Sequence, residues 1–314
     1  MMPQKHTLRE FLDIVAEKNV FQTKFLDQSL SDITADEVGR LEGLLNFYIL
    51  REQCSLEEIA DRYLNFISYL VEGQRHFVEF GKYQLSTFAE VENYYKDADF
   101  MKNYTVGLGL SIYLWRVHRR LKHLFDQSLA LPKSDGGKYL EIGPGHGEYF
   151  VTAMQNANFQ KYTAIDISKT SVECTQDYIR YSMPDLDKKY ELIHEDIFKY
   201  QTSERFDMVV MGEVLEHVEN PSAFLHRINQ LASDNAIIFI TTAINAPDPD
   251  HIYLFNNLKE VTDLIESHGF VIIDFVVVNA NNLPLEKAEK RKIAINAGFI
   301  LNKKNHKIWT NHHY

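Results

Sequence analysis

The stretch Lys138-Tyr139-Leu140-Glu141-Ile142-Gly143-Pro144-Gly145-His146-Gly147-Glu148-Tyr149-Phe150 reads as a short apolar strand, a glycine-rich turn and the start of a helix. Glycines at a strand-to-helix turn let the backbone bend tightly and leave no side chain between it and a ligand. A dinucleotide fingerprint would need its third glycine five residues after the first. That position is Glu148, and the third glycine, Gly147, comes one residue early. Glu141, just ahead of the turn, would sit badly against a pyrophosphate. A carboxylate there suits a nucleotide-like ligand that carries positive charge.

Further acids recur at predicted strand ends. Tyr162-Thr-Ala-Ile-Asp166 reads as a second strand, and Asp166 is placed to accept ribose hydroxyls, with Ile167 beside it. Glu191 to Asp196 reads as a third, and Asp196 with Ile197 and Phe198 suits an adenine amino group and ring. Phe206 to Met211 reads as a fourth, followed by Gly212-Glu213-Val-Leu-Glu216-His217-Val218. Taken together, Glu141-x-Gly143-x-Gly145-x-Gly147, Asp166, Asp196 and Glu213-Val-Leu-Glu-His-Val218 resemble the class I S-adenosylmethionine-dependent methyltransferases. They are most similar to the small-molecule branch that includes the ubiquinone-biosynthesis O-methyltransferases. The resemblance covers roughly residues 137 to 302. It implies an α/β fold: a Rossmann-like sheet of seven strands, mostly parallel with the last antiparallel. It also implies S-adenosyl-L-methionine as cofactor, with Glu141, Gly143, Gly145, Gly147, Asp166, Ile167, Asp196, Ile197 and Glu213 as its candidate contacts.

The chain has 314 residues, enough for two domains, and is 45% apolar, enough to bury a core. A net charge of −11 and a pI near 5.6 argue against nucleic acid as the main partner. The basic run Trp115 to His123 reads as a solvated helix face rather than a phosphate site. Cys54 and Cys174 are far apart and suit a reducing compartment. No apolar run reaches membrane-spanning length and no signal-peptide core is present, so a cytoplasmic protein with no membrane partner is expected.

Residues 1–130 read as all-helical, and 131–314 as the cofactor-binding domain. Helix starts of the capping-box type occur at Thr7/Glu10, Thr34/Glu37, Ser55/Glu58 and Thr87/Glu90. A last helix is expected from near Asp99 to Phe125, with Gly107 and Gly109 marking a bend or a close helix contact. Leu131 to Gly137 reads as the linker. The aromatics before it are mostly core by their spacing. In the resembled family, however, the segment before the first strand often closes over cofactor and substrate, which makes Tyr94 and Tyr104 candidate contacts for the methionine end. The helical part is also a candidate homodimer surface.

Methyl transfer needs a nucleophile held in line with the methyl, and a hydroxyl acceptor also needs its proton removed. His217, beyond the fourth strand, and His251, in Asp248-Pro-Asp250-His251 after a fifth strand over Ala236 to Thr242, are the candidate catalytic residues. Spacing alone does not make a metal site of Asp248, Asp250 and His251, and no metal is expected. Phe270 to Val278 and Lys292 to Leu301 read as a closing antiparallel pair, with Asn279 to Arg291 a polar insertion between them. The expected reaction is methylation of a hydroxyl or amine on a small molecule. A non-catalytic binding protein and a protein methyltransferase are the alternatives. The tail His306 to Tyr314 carries no readable pattern.

Overall fold

The computed structural model describes residues 5–131 and 136–304, so most of the expected linker and the whole C-terminal tail lie outside the described residues. Seven helices come first: α1 (Leu8–Lys18), α2 (Val20–Ser29), α3 (Ala35–Glu52), α4 (Leu56–Phe80), α5 (Phe88–Lys96), α6 (Ala98–Leu114) and α7 (Arg116–Ala130). Strands and helices then alternate as β1 (Lys138–Ile142), α8 (Glu148–Asn156), β2 (Lys161–Asp166), α9 (Lys169–Ser182), β3 (Tyr190–His194) and β4 (Phe206–Gly212). They continue as α10 (Pro221–Leu231), β5 (Ala232–Ile244), α11 (Leu258–Ser267), β6 (Phe270–Val278), α12 (Leu285–Lys290) and β7 (Ile295–Lys303). No helix among the described residues is long and apolar enough to cross a membrane.

The sheet has seven strands in the order β3-β2-β1-β4-β5-β7-β6. The pairs β1–β2, β1–β4, β2–β3 and β4–β5 are parallel, and β7 runs antiparallel to both β5 and β6. Strand order reverses between β1 and β4, and in open α/β sheets the crevice beyond the strand ends at such a switch is where ligands sit. The expected polar insertion before β7 contains α12.

Side chains alternate between two cores, as the strand period of two requires. Tyr139, Met208, Val210 and Phe239 join one core, and Leu140, Ile142, Val209, Met211 and Ile240 join the other. The first of these cores also contains Phe11, Leu41, Tyr48, Phe66, Tyr113 and Phe125, so α1 to α7 share it with one face of the sheet. Phe125 of α7 meets Phe239 of β5 edge-on, with ring centroids 5.2 Å apart. The Tyr113 hydroxyl donates to the fully buried Glu148 carboxylate at the start of α8, at 2.5 Å.

All four expected capping boxes form. The single helix expected from Asp99 to Phe125 does not. It breaks at Trp115, which is extended (φ −104, ψ 125) between α6 and α7. The break is satisfied from outside: the Ser29 hydroxyl donates to the Leu114 carbonyl at 2.8 Å and accepts from the Arg116 amide at 2.7 Å. The Trp115 ring stacks on Phe66 at 5.8 Å, and its Nε1 donates to the Tyr63 hydroxyl at 3.2 Å. Gly107 and Gly109 sit in unbroken helix and mark close contact: an added Cβ would lie 2.3 Å from Phe66 and 1.9 Å from the Tyr48 hydroxyl. The basic run is not a simple solvated face. Arg119 and Lys122 are buried, and Arg119 pairs with Asp32 at 2.5 Å and donates to the Tyr113 and Ser29 carbonyls.

Candidate functional site

One cavity of about 760 Å³ opens at the switch point and runs from the glycine turn to the inner faces of α4, α5 and α6. Gly143, Gly145 and Gly147 all take positive φ (70°, 54° and 84°), as the turn demands of residues without a Cβ. Their surroundings differ. A Cβ on Gly143 would meet Val214 at 2.8 Å, and one on Gly147 would meet Thr175 of α9 at 3.1 Å. One on Gly145 would meet nothing within 4 Å and would project into open space. Gly145 therefore leaves room for a ligand. Gly147 leaves room for helix packing and does not line the cavity.

Three acids line the cavity near this turn. Glu141 is buried on β1 and accepts a hydrogen bond from the Tyr139 hydroxyl at 2.5 Å; burial raises its carboxyl to about 8. Asp166 ends β2 and accepts from the Ser168 amide at 2.8 Å and the Gly145 amide at 3.4 Å; burial raises it to about 6. Asp196 lies just past β3 and accepts from the Phe198 amide at 2.9 Å. Ile167 and Phe198 line the same end and stay half exposed, as apolar groups waiting for a flat partner would. Ile197 lines it too but is buried.

At the other end two loops meet. Glu213 follows β4 with φ at +51°, an uncommon conformation for a glutamate, held by hydrogen bonds from its amide to the Thr241 carbonyl and hydroxyl. The Glu216 carbonyl accepts the Ile252 and Tyr253 amides, both at 2.9 Å, which docks the loop after β5 against the loop after β4. His217 and His251 are thereby brought edge to face, with ring centroids 4.6 Å apart. The Asp250 carboxylate, fully buried, lies 3.3 Å from His217 Nδ1 and accepts from the Tyr95 hydroxyl at 3.2 Å; Tyr104 faces it as well. Burial pushes His251 down to about 3 and Asp248 up to about 8, and it raises Glu213 and Glu216. A histidine held that low is a weak base near neutral pH.

Of the residues predicted from sequence, Glu141, Gly143, Gly145, Asp166, Ile167, Asp196, Ile197, Glu213, Tyr104, His217 and His251 all line the one cavity. Tyr94 does not. It packs edge-on against Phe100, 4.9 Å away, and its neighbour Tyr95 faces the cavity instead. A helix turns about 100° per residue, so the neighbouring tyrosine points a different way. Sequence reasoning passed over the acid Asp250 as an anchor for His217. It also passed over His118 and His146, two half-buried cavity histidines whose loss of solvation lowers them to about 4. Asp250 was readable as part of Asp248-x-Asp250-His251, but its tyrosine partner comes from 155 residues away. No lysine or arginine lines the cavity among the described residues.

A family model described as a methyltransferase domain matches residues 113–273, half of the chain. The (S)-coclaurine N-methyltransferase of Papaver somniferum is 31% identical over 107 residues, 34% of this chain and 29% of that protein. The mitochondrial ubiquinone biosynthesis O-methyltransferase of Schizosaccharomyces pombe is also 31% identical over 107 residues, 34% of this chain and 38% of that protein. The match thus spans well under two thirds of either relative. Among solved structures, the [4+2]-cyclase SpnF aligns with a TM-score of 0.48 at 16% identity, covering 60% of this chain and 82% of that one. A cyclopropane synthase from Mycobacterium tuberculosis aligns with a TM-score of 0.47 at 13% identity, covering 59% and 84%. The chain belongs to the methyltransferase domain family, the S-adenosyl-L-methionine-dependent methyltransferases.

Proposed function

We propose that this protein moves a methyl group from S-adenosyl-L-methionine to a hydroxyl or an amine of a small molecule. The observation that carries the reading is the single cavity that joins the acid-lined glycine turn to the histidine and carboxylate cluster beyond β4 and β5. When bound, the cofactor supplies an electrophilic methyl on a cationic sulfur. The residues present fit it: open space at Gly145, a buried carboxyl at Glu141 with no lysine or arginine lining its cavity among the described residues, and Asp166 and Asp196 at successive strand ends. In this reading Asp166 holds the ribose hydroxyls, and Asp196 with Ile197 holds the adenine. Glu141 faces the amino-acid end, and Tyr104 and Tyr95 close over it from the helical side.

The acceptor then occupies the rest of the cavity, between Ile67, Leu70, Met101 and Leu108 of the roof and the cluster of Glu213, His217, Asp248 and His251. Apolar walls hold its body and exclude water, and the polar cluster aims its reacting atom. With no lysine or arginine lining the cavity among the described residues, an acceptor carrying a carboxylate or phosphate would find no permanent cation to pair with. Phenols, alcohols and amines remain.

The test is to incubate the protein with methyl-labelled S-adenosylmethionine and a panel of uncharged phenols and alcohols, amines and organic acids, and to follow label transfer. Transfer to a hydroxyl or amine compound supports the reading. Tight cofactor binding with transfer only to polypeptides would replace it with protein methylation. Absence of cofactor binding would leave a non-catalytic binding protein.

A further inference from the structure

Two histidines stand apart from the cluster at the acceptor end. His118 lies in the first turn of α7 and His146 in the glycine turn between Gly145 and Gly147, and both line the cavity half-buried. Loss of solvation lowers each to about 4, so both rings are neutral near pH 7. Hydrogen bonds then fix their tautomers. The proton of the Ser111 hydroxyl goes to the Leu108 carbonyl at 2.6 Å. The Nδ1 of His118, 2.9 Å from that hydroxyl oxygen, is therefore the donor, and its Nε2 bears the lone pair. His146 is the reverse: its Nδ1 accepts the Glu148 amide at 3.2 Å, and its Nε2 carries the proton.

Neither Nε2 has a hydrogen-bond partner among the described residues. The rings are near enough to each other that His146 weighs against a charge on His118. The Trp115 ring, 5.0 Å from His118, packs beside it at the α6–α7 break. A lone pair and an N–H held out of bulk water are costly to leave unmet. Together they suit a ligand that brings one donor and one acceptor. His146 sits in the turn itself, next to the open space at Gly145, and so away from Glu213, His217 and His251 in the loops after β4 and β5.

We propose that His118 and His146 bind the amino-acid end of S-adenosyl-L-methionine as a matched pair, the α-ammonium donating to His118 Nε2 and the α-carboxylate accepting from His146 Nε2. The assignment rests on the methyl-transfer reading and adds to it the groups that hold the cofactor's charged end. An ammonium has several N–H groups, so His118 joins Glu141 there without displacing it. The carboxylate finds no lysine or arginine lining the cavity among the described residues, which leaves the His146 N–H to meet it. The adenosine makes no demand on the pair, since Asp166 and Asp196 take its ribose hydroxyls and its adenine. The two histidines therefore set the preference for the whole cofactor over its adenosine fragment.

The experiment is calorimetric titration of the full chain with two ligands, S-adenosylhomocysteine and 5′-methylthioadenosine, which keeps the adenosine and the sulfur but lacks the amino-acid end. The wild type should bind S-adenosylhomocysteine the more tightly. His118→Leu and His146→Leu should each lower that affinity by about ten- to a hundredfold, the loss of a hydrogen bond to a charged group, and leave 5′-methylthioadenosine binding unchanged. Should His146→Leu distort the glycine turn, seen as loss of both ligands, His118→Leu, outside the turn, decides alone. A His118→Leu that holds S-adenosylhomocysteine as tightly as the wild type, or that loses both ligands equally, would overturn the pair. So would a wild type that binds the two ligands equally well. A wild type that binds neither ligand would instead bring down the methyl-transfer reading itself, and the pair with it.

Discussion

Asp166 ends its strand with the carboxylate at the cavity wall, bonded to two backbone amides and raised by burial to about 6. A ligand whose hydroxyls donate to it needs the ionised form. Because the free group is raised, it is increasingly protonated below pH 6, and binding must then displace that proton. S-adenosylhomocysteine affinity should therefore fall as pH drops from 7 to 5, approaching tenfold per unit, and Asp166→Asn should lack this fall. A second rise towards pH 8, from Glu141 at about 8, should survive in Asp166→Asn and disappear in Glu141→Gln. Calorimetry from pH 5 to 9 on the three proteins reads both, and a flat wild-type profile would contradict the assignment. Gly145→Val is the steric counterpart. No protein atom within 4 Å stands in the way of its Cβ, but at φ 54° a valine also strains the turn, so cofactor binding should be lost through the filled space, the shifted backbone or both. Normal binding would mean that the ligand does not fill that space.

At the scale of elements, the short motifs were readable because their partners are local. A Thr or Ser three residues before a Glu, or a run such as Gly143-x-Gly145 after an apolar strand, carries its hydrogen-bond partners within a few positions. The elements that escaped depend on distant residues. Helix α2 has no apolar stripe. Leu26 and Ser29 are its only buried residues, Phe21 is exposed, and its cap is Asn19, which also ends α1. The break at Trp115 has no glycine or proline to announce it, since the hydroxyl that satisfies it belongs to Ser29. Helix α6 supplies a prediction of its own. Gly107→Ala should gain roughly 1 kcal/mol in helix propensity. It would also place a Cβ 2.3 Å from Phe66, at the inflexible base of that side chain. Overpacking typically costs about 1–3 kcal/mol, so the net effect should be lower stability. Denaturant unfolding that finds the variant as stable as the wild type, or more so, would refute the close contact.

Across the whole molecule, the helical part and the sheet are tied through the site as well as through the core they share. The Tyr95 hydroxyl bonds Asp250, the Ala246 amide bonds the Tyr83 hydroxyl at 3.0 Å, and the Phe88 amide bonds Glu219 at 2.8 Å. Gly73 of α4 rests on the Pro247 carbonyl so closely that a Cβ would come within 1.9 Å. Removing one of these links should loosen the roof without unfolding the sheet. Tyr95→Phe gives up a hydrogen bond to a charged group, worth roughly 1.5–3 kcal/mol. Hydrogen exchange should then quicken in residues 83–101 and stay unchanged in β1 and β4. Equal protection throughout would mean that the tyrosine contributes nothing to holding the roof. The sequence could show that helices precede a cofactor sheet. It could not show that their tyrosines reach the loop after β5, because contacts across more than a hundred residues leave no local pattern.

In the proposed reading the cavity at the β1–β4 switch holds S-adenosylmethionine with Asp166 on its ribose. The most direct measurement is calorimetric titration of S-adenosylmethionine into the wild type and Asp166→Ala at pH 7.5. The wild type should show one site, and the variant an affinity lower by about ten- to a hundredfold, the loss of a hydrogen bond to a charged acceptor. No binding by the wild type, or equal affinity in the two proteins, would contradict that reading.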